Sequence, residues 1–202
     1  MPLYIAEIIK ENNVFMIYVI RHGQTDWNIK GKTQGSIDIE LNETGIEQAQ
    51  NVKNELLNIK LDTILSSPKI RCKETAEIIC GNREIPIVEL EDLQERFFGE
   101  FEGKQKNIDY NWEEFWNWEQ NQQYEQAENV RDFFERVSNI IEKVKKDYSS
   151  KNVLIVTHSG VCAMIYCYFN NIKPNGKLKI PGTKNCELVR YKSDIFTKDY
   201  ER

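Results

Sequence analysis

The sequence predicts an α/β fold of three layers, α/β/α, around a mostly parallel central sheet of about six strands. Three observations predict it. Short apolar, β-rich runs alternate with segments of helical periodicity, the pattern of a sheet wrapped on both sides. The run Val153 to Thr157 is continuously apolar, as a strand covered on both faces must be. No repeat or low-complexity linker interrupts the 202 residues, so 1–202 reads as a single domain.

The elements follow in order. Met16 to Arg21 is the first strand. Residues 1–15 stand ahead of it as an N-terminal extension, or Met16 is the natural start. Leu41 to Lys60 is helical: Asn42 suits the N-cap, and Ile46, Ala49, Val52 and Leu56 share a face. Asp62 to Ser66 is a second strand. Ser67-Pro68 then places proline at the first position of a helix, where its missing N–H costs nothing, and Gly81-Asn82 ends that helix after Cys80. Ile85 to Leu90 is a third strand. Residues 129–147 give the clearest helix, with Val130, Phe133, Phe134, Val137, Ile140 and Ile141 at i, i+3, i+4, i+7 spacing. The strand Val153 to Thr157 and an all-round apolar helix, Val161 to Phe169, come next. Cys186 to Lys192 alternates apolar and polar residues as a late strand. Two long connections remain, Gly23 to Glu40 and Gly103 to Glu128. Connections of that length are usually functional, and 103–128 reads as a lid or insert.

Composition excludes several classes. A hydrophobic share of 40% with 29% charged residues is that of a globular chain, not a disordered or fibrous one. The longest apolar run, Val14 to Ile20, is too short to span a bilayer, and no basic leader precedes it. The net charge of −5 argues against nucleic-acid binding. Five cysteines without a CxxC pair read as reduced, mostly buried thiols of a cytoplasmic protein.

Only two histidines occur, and both follow strand candidates directly: His22 before Gly23, and His158 before Ser159-Gly160. That puts each at the carboxyl end of a parallel strand, the sheet edge where ligands bind in open α/β folds. A packing role is the commoner fate of one histidine, but two at equivalent strand ends favour function. Arg21 beside His22 offers a rigid fork of donors for phosphate oxygens. A neutral imidazole nitrogen is a nucleophile toward phosphorus. Asn28 and Gln34-Gly35 add neutral groups in the first long connection. Arg71 falls in the first turn of its helix, where the helix N-terminus also favours anions. Taken alone, Arg71 would be read as a surface cation.

Rival sites fail on spacing. Gly31-Lys32-Thr33 looks like the end of a P-loop, but the glycine that motif needs five residues earlier is Asp26. No GxGxxG follows a strand, no cysteine has an arginine six positions on, and the histidines and cysteines show no zinc spacing.

Arg21-His22-Gly23-Gln24-Thr25-Asp26-Trp27-Asn28 resembles the opening signature of the histidine phosphatase superfamily, the phosphoglycerate mutase-like proteins. Gln34-Gly35, Leu41 to Ala49, Ser67 to Ala76, Leu93 to Gly103 and Val156 to Gly160 resemble its later motifs, in order. The resemblance implies His22 as the nucleophile that becomes phosphohistidine. It implies Arg21, Arg71 and His158 as holders of the phosphoryl oxygens, with Asn28, Gln34, Gly35 and Ser159 lining the phosphate pocket. Glu95 would protonate the leaving group. It implies no metal and no organic cofactor, and as partner a small-molecule phosphomonoester, which includes ribazole, sugar and glycerate phosphates; phosphoproteins are a further candidate. Two departures stand out: Phe101 replaces the family's tryptophan, and Ala127-Glu128-Asn129 stands where many phosphatases have G-E-S.

The short stretch between Glu95 and His158 resembles the phosphatases more than the mutases, which carry a longer insertion there. A mutase-type phosphotransferase and a non-catalytic phosphate binder are the alternatives. Residues 91–128 hold eleven acidic and three basic residues, a rim expected to disfavour highly charged substrates. The cluster of aromatic residues from Tyr110 to Tyr124 reads equally as a substrate lid or as packing.

Overall fold

Strand β1 (Met16–Arg21) sends Ile17 and Val19 to one apolar cluster and Tyr18 and Ile20 to another. The side-chain period of a strand is two, so a central strand feeds two cores only if both its faces are covered. A computed structural model describes this arrangement for residues 15–175, 180 and 182–192. The extension expected over 1–15 lies outside the described residues, apart from Phe15.

After β1 come α1 (Asp26–Ile29), α2 (Glu43–Glu55), β2 (Thr63–Ser66), α3 (Ile70–Cys80), β3 (Ile87–Glu89) and α4 (Trp112–Phe115). The chain continues through α5 (Val130–Asp147), β4 (Val153–Thr157), α6 (Ser159–Asn170) and β5 (Leu188–Lys192). The sheet order is β3-β2-β4-β1-β5, with every pairing parallel except β1 to β5. Helices α2 and α3 cover one face through Val52, Ala76 and Ile79. Helices α5 and α6 cover the other through Phe133, Ile141, Val161 and Ile165. The three-layer α/β/α fold therefore holds, with five strands among the described residues instead of about six.

Local chemistry explains most boundaries. Asn42 accepts from Gly45 N at 2.9 Å and opens α2. Asn129 accepts from Arg131 N and Asp132 N, both at 3.0 Å, and opens α5, so it caps where family members carry serine. Gly81, at φ 56°, closes α3 in a backbone region open to glycine. The start of α3 differs from expectation. Pro68 lies in the turn before the helix, which begins at Ile70 with Lys69 as N-cap. Lys69 supplies no capping side chain, and Asp38 of the first long connection accepts from Ile70 N at 2.9 Å instead. Ser67 Oγ accepts from Lys69 N at 3.4 Å and also bonds within the site. The helix expected over 41–60 stops at Glu55, and Leu56 turns inward, fully buried against α3.

Candidate active site

The register of β1 against β4 pairs Arg21 with Thr157, so the residues that follow each strand emerge side by side. His22 N donates to Thr157 O at 2.8 Å, continuing the ladder one step. The His22 and His158 rings consequently meet edge-on, with centroids 5.3 Å apart, and both are buried. Gly23 allows the turn that follows: a Cβ there would lie 2.5 Å from Gly45 O, so the loop packs directly on the start of α2.

His22 Nδ1 lies 2.7 Å from Gly23 O. Burial lowers the His22 pKa well below its usual 6.5, Arg71 and Arg21 push it the same way, and the Gly23 carbonyl opposes them. His158 is lowered likewise, by burial first and then by Arg71 and His22. Both rings are therefore neutral at neutral pH, so any cationic character of the site comes from its arginines and lysines. His158 Nε2 sits 2.8 Å from Ser67 Oγ and 3.5 Å from Cys72 Sγ. Burial pushes the Cys72 thiol up to about 12 against the opposing pull of Arg71, so it is not a competing nucleophile.

Two guanidiniums flank His22. Arg21 Nη1 donates to Thr183 O at 2.8 Å. Arg71, fully buried, donates through Nη1 to Ile37 O at 2.9 Å and through Nη2 to Gly35 O at 3.0 Å. Each keeps a buried Nε without a protein acceptor. Buried donors are nearly always paired. Two unpaired guanidinium nitrogens beside a neutral imidazole make a receptor for a tetrahedral oxyanion.

A cavity of about 200 Å³ opens above this floor. Arg21, His22, Asn28, Gln34, Glu95 and Ser159 line it, as the sequence led us to expect. Arg71, His158 and Gly35, also expected at the site, are buried and do not line this cavity. Asn28 Oδ1 accepts from Thr25 N and Asn185 Nδ2, which leaves its amide nitrogen as donor. Gln34 Nε2 donates to Thr25 Oγ1 at 2.8 Å, and its buried Oε1 has no partner. Ser159 Oγ reaches Thr183 O at 3.4 Å.

Glu95 reaches the cavity from the opposite side. Its Oε1 accepts from Arg96 N at 2.9 Å and its Oε2 from Gly160 N at 3.0 Å. The other carboxyls near in sequence are occupied. Glu102 accepts from Ser36 N at 2.8 Å and Ile37 N at 3.2 Å and so holds the loop whose carbonyls face Arg71. Glu128 is paired with Arg136 at 2.8 Å.

The charge of the insert is partitioned in a way its sequence count hides. Of the eleven acidic residues over 91–128, eight are exposed and Glu95 alone lines the cavity. The cavity wall instead carries Lys32 and Lys106 besides Arg21. Lys106 Nζ sits 3.7 Å from the centroid of the Trp112 ring, and no acidic partner meets it among the described residues. Lys106 is exposed as a residue where it lines the cavity; its pKa is lowered, by desolvation first and then by Arg21, while Glu95 opposes them. Glu113, Glu114 and Glu119 line a second hollow that shares Trp116, Pro174 and Asn175 with the cavity, so acidic charge borders the site without lining its floor. The aromatic patch divides too. Phe115 is core, stacked on Phe98 and Tyr124, whereas Trp112 and Trp116 face the cavity. Sequence reasoning missed Lys106. The available signal was a basic residue just after Glu102-Gly103 in an otherwise acidic stretch.

The model of the histidine phosphatase superfamily, branch 1, matches residues 17–197. The chain belongs to this superfamily. It is 37% identical over 144 residues to the uncharacterized phosphatase PhoE of Bacillus subtilis, covering 71% of this chain and 72% of that protein. It is 30% identical over 177 residues to the metal-independent phosphoserine phosphatase of Arabidopsis thaliana, covering 83% and 74%. Among solved structures, YhfR of Bacillus stearothermophilus superposes with a TM-score of 0.79 at 28% identity, covering 87% of this chain and 90% of that one. The phosphoglycerate mutase-like fold and phosphatase-class enzymatic activity follow from membership of this superfamily and from these relatives. Among the described residues no helix is long and apolar enough to cross a membrane.

Proposed function

We propose that the chain is a metal-independent phosphomonoesterase that works through a phosphohistidine on His22, and that its substrate is a small phosphate ester carrying a second anionic group. The observation that carries the reading is the Nδ1 to Gly23 bond of 2.7 Å, which leaves Nε2 of a neutral ring as a lone-pair donor between two guanidiniums.

The reaction takes two steps. Arg21 and Arg71 bind the non-bridging oxygens, where charge spreads in the transition state. His22 Nε2 forms the N–P bond as the ester P–O bond breaks, and Glu95 gives its proton to the departing oxygen. Water then attacks the phosphohistidine and loses a proton to the Glu95 carboxylate. The N–P bond breaks, and inorganic phosphate leaves.

The second anionic group is argued from the wall. Lys106 and Lys32 face the cavity without acidic partners among the described residues, and Trp112, Trp116 and Met164 offer apolar surface to a short carbon body. A volume of about 200 Å³ suits a compact substrate. Phosphoserine, which the Arabidopsis relative is named for, has that chemistry. Residues 103–128 then act as a lid on a single catalytic domain. The five unpaired thiols suit a reducing, cytoplasmic setting.

A turnover panel of phosphomonoesters with and without a carboxylate tests the substrate class, read in the native protein and in Lys106→Met. Phosphorylated carboxylic acids should lead the panel, and Lys106→Met should raise their KM by about tenfold, the scale of one charged hydrogen bond. Alkyl phosphates without a second anionic group should be unaffected. An unchanged KM for the acids would overturn the second anionic group.

A further inference from the structure

Glu95 is held by a frame of two arginines that also carries the cavity wall. Arg136 of α5 donates from Nη1 to Asp92 O at 2.8 Å and Gln94 O at 3.0 Å, and from Nη2 to Glu95 O at 3.4 Å. The same guanidinium grips Glu128 through Nε to Oε1 at 2.9 Å and Nη2 to Oε2 at 2.8 Å. Arg96 is fully buried. Its Nε donates to Glu128 O at 2.7 Å and its Nη1 to Phe115 O at 2.6 Å. Its guanidinium carbon lies 4.2 Å from the Phe115 ring centroid and 5.0 Å from that of Trp116, a residue of the cavity wall. The backbone N–H of this same Arg96 donates to Glu95 Oε1.

Burying the Arg96 guanidinium is costly, and burial pushes its pKa down to about 10, while Arg136 keeps 18% of its side chain exposed. Two apolar side chains could have packed the same volume. What arginine adds is several directional bonds from one rigid plane. Those bonds join three pieces: the segment 92–95 that ends in the carboxyl, the insert at Phe115 (next to Trp116 of the wall) and at Glu128, and helix α5.

We propose that Arg96 and Arg136 are positioning residues that place the Glu95 carboxyl by tying its segment to the substrate-facing wall. The seat of the wall thereby sets where the proton is delivered. Neither guanidinium lines the cavity, and both bond to protein acceptors, Arg96 to Glu128 O and Phe115 O and Arg136 to Asp92 O and the Glu128 carboxylate. The inference rests on Glu95 acting as the acid, and its test separates the two claims.

The experiment measures single-turnover phosphoryl transfer from an alkyl and a nitrophenyl phosphate in Arg136→Lys, Glu128→Gln and Glu95→Gln, and in each of the first two combined with Glu95→Gln. Arg136→Lys keeps the charge and loses the fork; Glu128→Gln keeps the shape and loses the ion pair. Misplacing a catalytic group by about 1 Å costs about 10²-fold. Each framing variant should therefore slow the alkyl ester by about 10- to 100-fold with KM little changed, and the aryl ester far less. Added to Glu95→Gln, neither should slow the alkyl ester further, since no proton is left to place. Glu128→Gln carries the test if Arg136→Lys does not fold. Equal slowing of both esters, or full additivity with Glu95→Gln, would overturn the positioning role. If Glu95→Gln itself fails to discriminate between the esters, the acid assignment fails, and the positioning claim fails with it.

Discussion

His22 Nδ1 lies 2.7 Å from the carbonyl oxygen of the next residue, Gly23. A carbonyl can only accept, so the proton resides on Nδ1 and the lone pair on Nε2. The tautomer of the proposed nucleophile is thus selected by the backbone of its own turn. The Gly23 N–H is held in turn by Thr75 Oγ1 of α3 at 3.0 Å. The turn, and with it the ring, is fixed between β1 and α3.

His22→Ala should reduce phosphomonoester hydrolysis to background while the chain remains folded. The only other histidine, His158, has its Nε2 against Ser67 Oγ at 2.8 Å, and Cys72 is held as a thiol. No neighbour can take over the covalent step. Brief exposure of the native protein to labelled substrate, followed by acid-labile phosphate mapping, should place the label on His22. Retained activity in the variant would show the nucleophile to lie elsewhere.

Stability should fall as pH drops below 6.5. The folded pKa values of His22 and His158 both lie well below that value, chiefly through burial and then through Arg71. Between the lowered folded value and 6.5 the unfolded chain binds the extra protons, so stability is present above this window and is lost as pH falls through it. Each histidine contributes a slope of up to about 1.4 kcal/mol per pH unit. Urea midpoints from pH 7.5 to 5.5 should therefore slope less steeply in His22→Gln than in the native chain. Parallel slopes would contradict the burial effect.

The strands and the two histidines were legible because their signals are local. A continuous apolar run ending in His-Ser-Gly needs no partner to be read as a strand end. The third strand was overdrawn at six residues and spans only Ile87–Glu89, because an edge strand with Ile87 and Val88 exposed is not fixed by burial. The start of α3 was misplaced because its cap, Asp38, comes from a loop far away in sequence. The lysine that lines the cavity was hidden for the same reason. Net charge over a window says nothing about which side chains point at a cavity. The arginine frame around Glu95 joins residues from Asp92 to Arg136, and a periodicity reading of α5 sees only that Arg136 adjoins an apolar stripe.

Chelators should leave turnover unchanged, and tungstate should inhibit. In the proposed mechanism the positive charge comes from Arg21, which lines the cavity, and from Arg71 behind it, each with an unpaired buried Nε. Arg71→Lys replaces a planar fork by a point charge and loses the bonds to Gly35 O and Ile37 O. Tungstate affinity should then fall by about tenfold or more, since a charged hydrogen bond contributes about 1.5–3 kcal/mol. Calorimetric titration of both forms, with chelator present, reads this directly. Activity lost to chelator and restored by a divalent metal would refute the guanidinium account.

Glu95→Gln should separate ester classes by their leaving groups. An alkoxide is strongly basic and needs a proton as it departs, whereas a nitrophenolate leaves unaided. Alkyl phosphates should slow by about 10²–10⁴, the usual contribution of general acid–base catalysis. Aryl phosphates should slow much less in the transfer step, and the phosphohistidine should accumulate, because the attacking water has lost its base. The same split should appear, more weakly, in Gly160→Ala. A Cβ at Gly160 would lie 2.2 Å from Glu95 Oε1 and 3.1 Å from the Trp116 ring, so the carboxyl must move from its place beside Gly160 N. The side chain of Gln is nearly isosteric with Glu and tests the proton; the added methyl keeps the proton and tests its position. Single-turnover rates for both ester classes in both variants decide the matter. If Glu95→Gln slows the two classes equally, Glu95 holds phosphate or structure instead of a proton. The leaving group would then have to be protonated by water, because Glu102 is committed to the loop at Ser36 and Glu128 to Arg136.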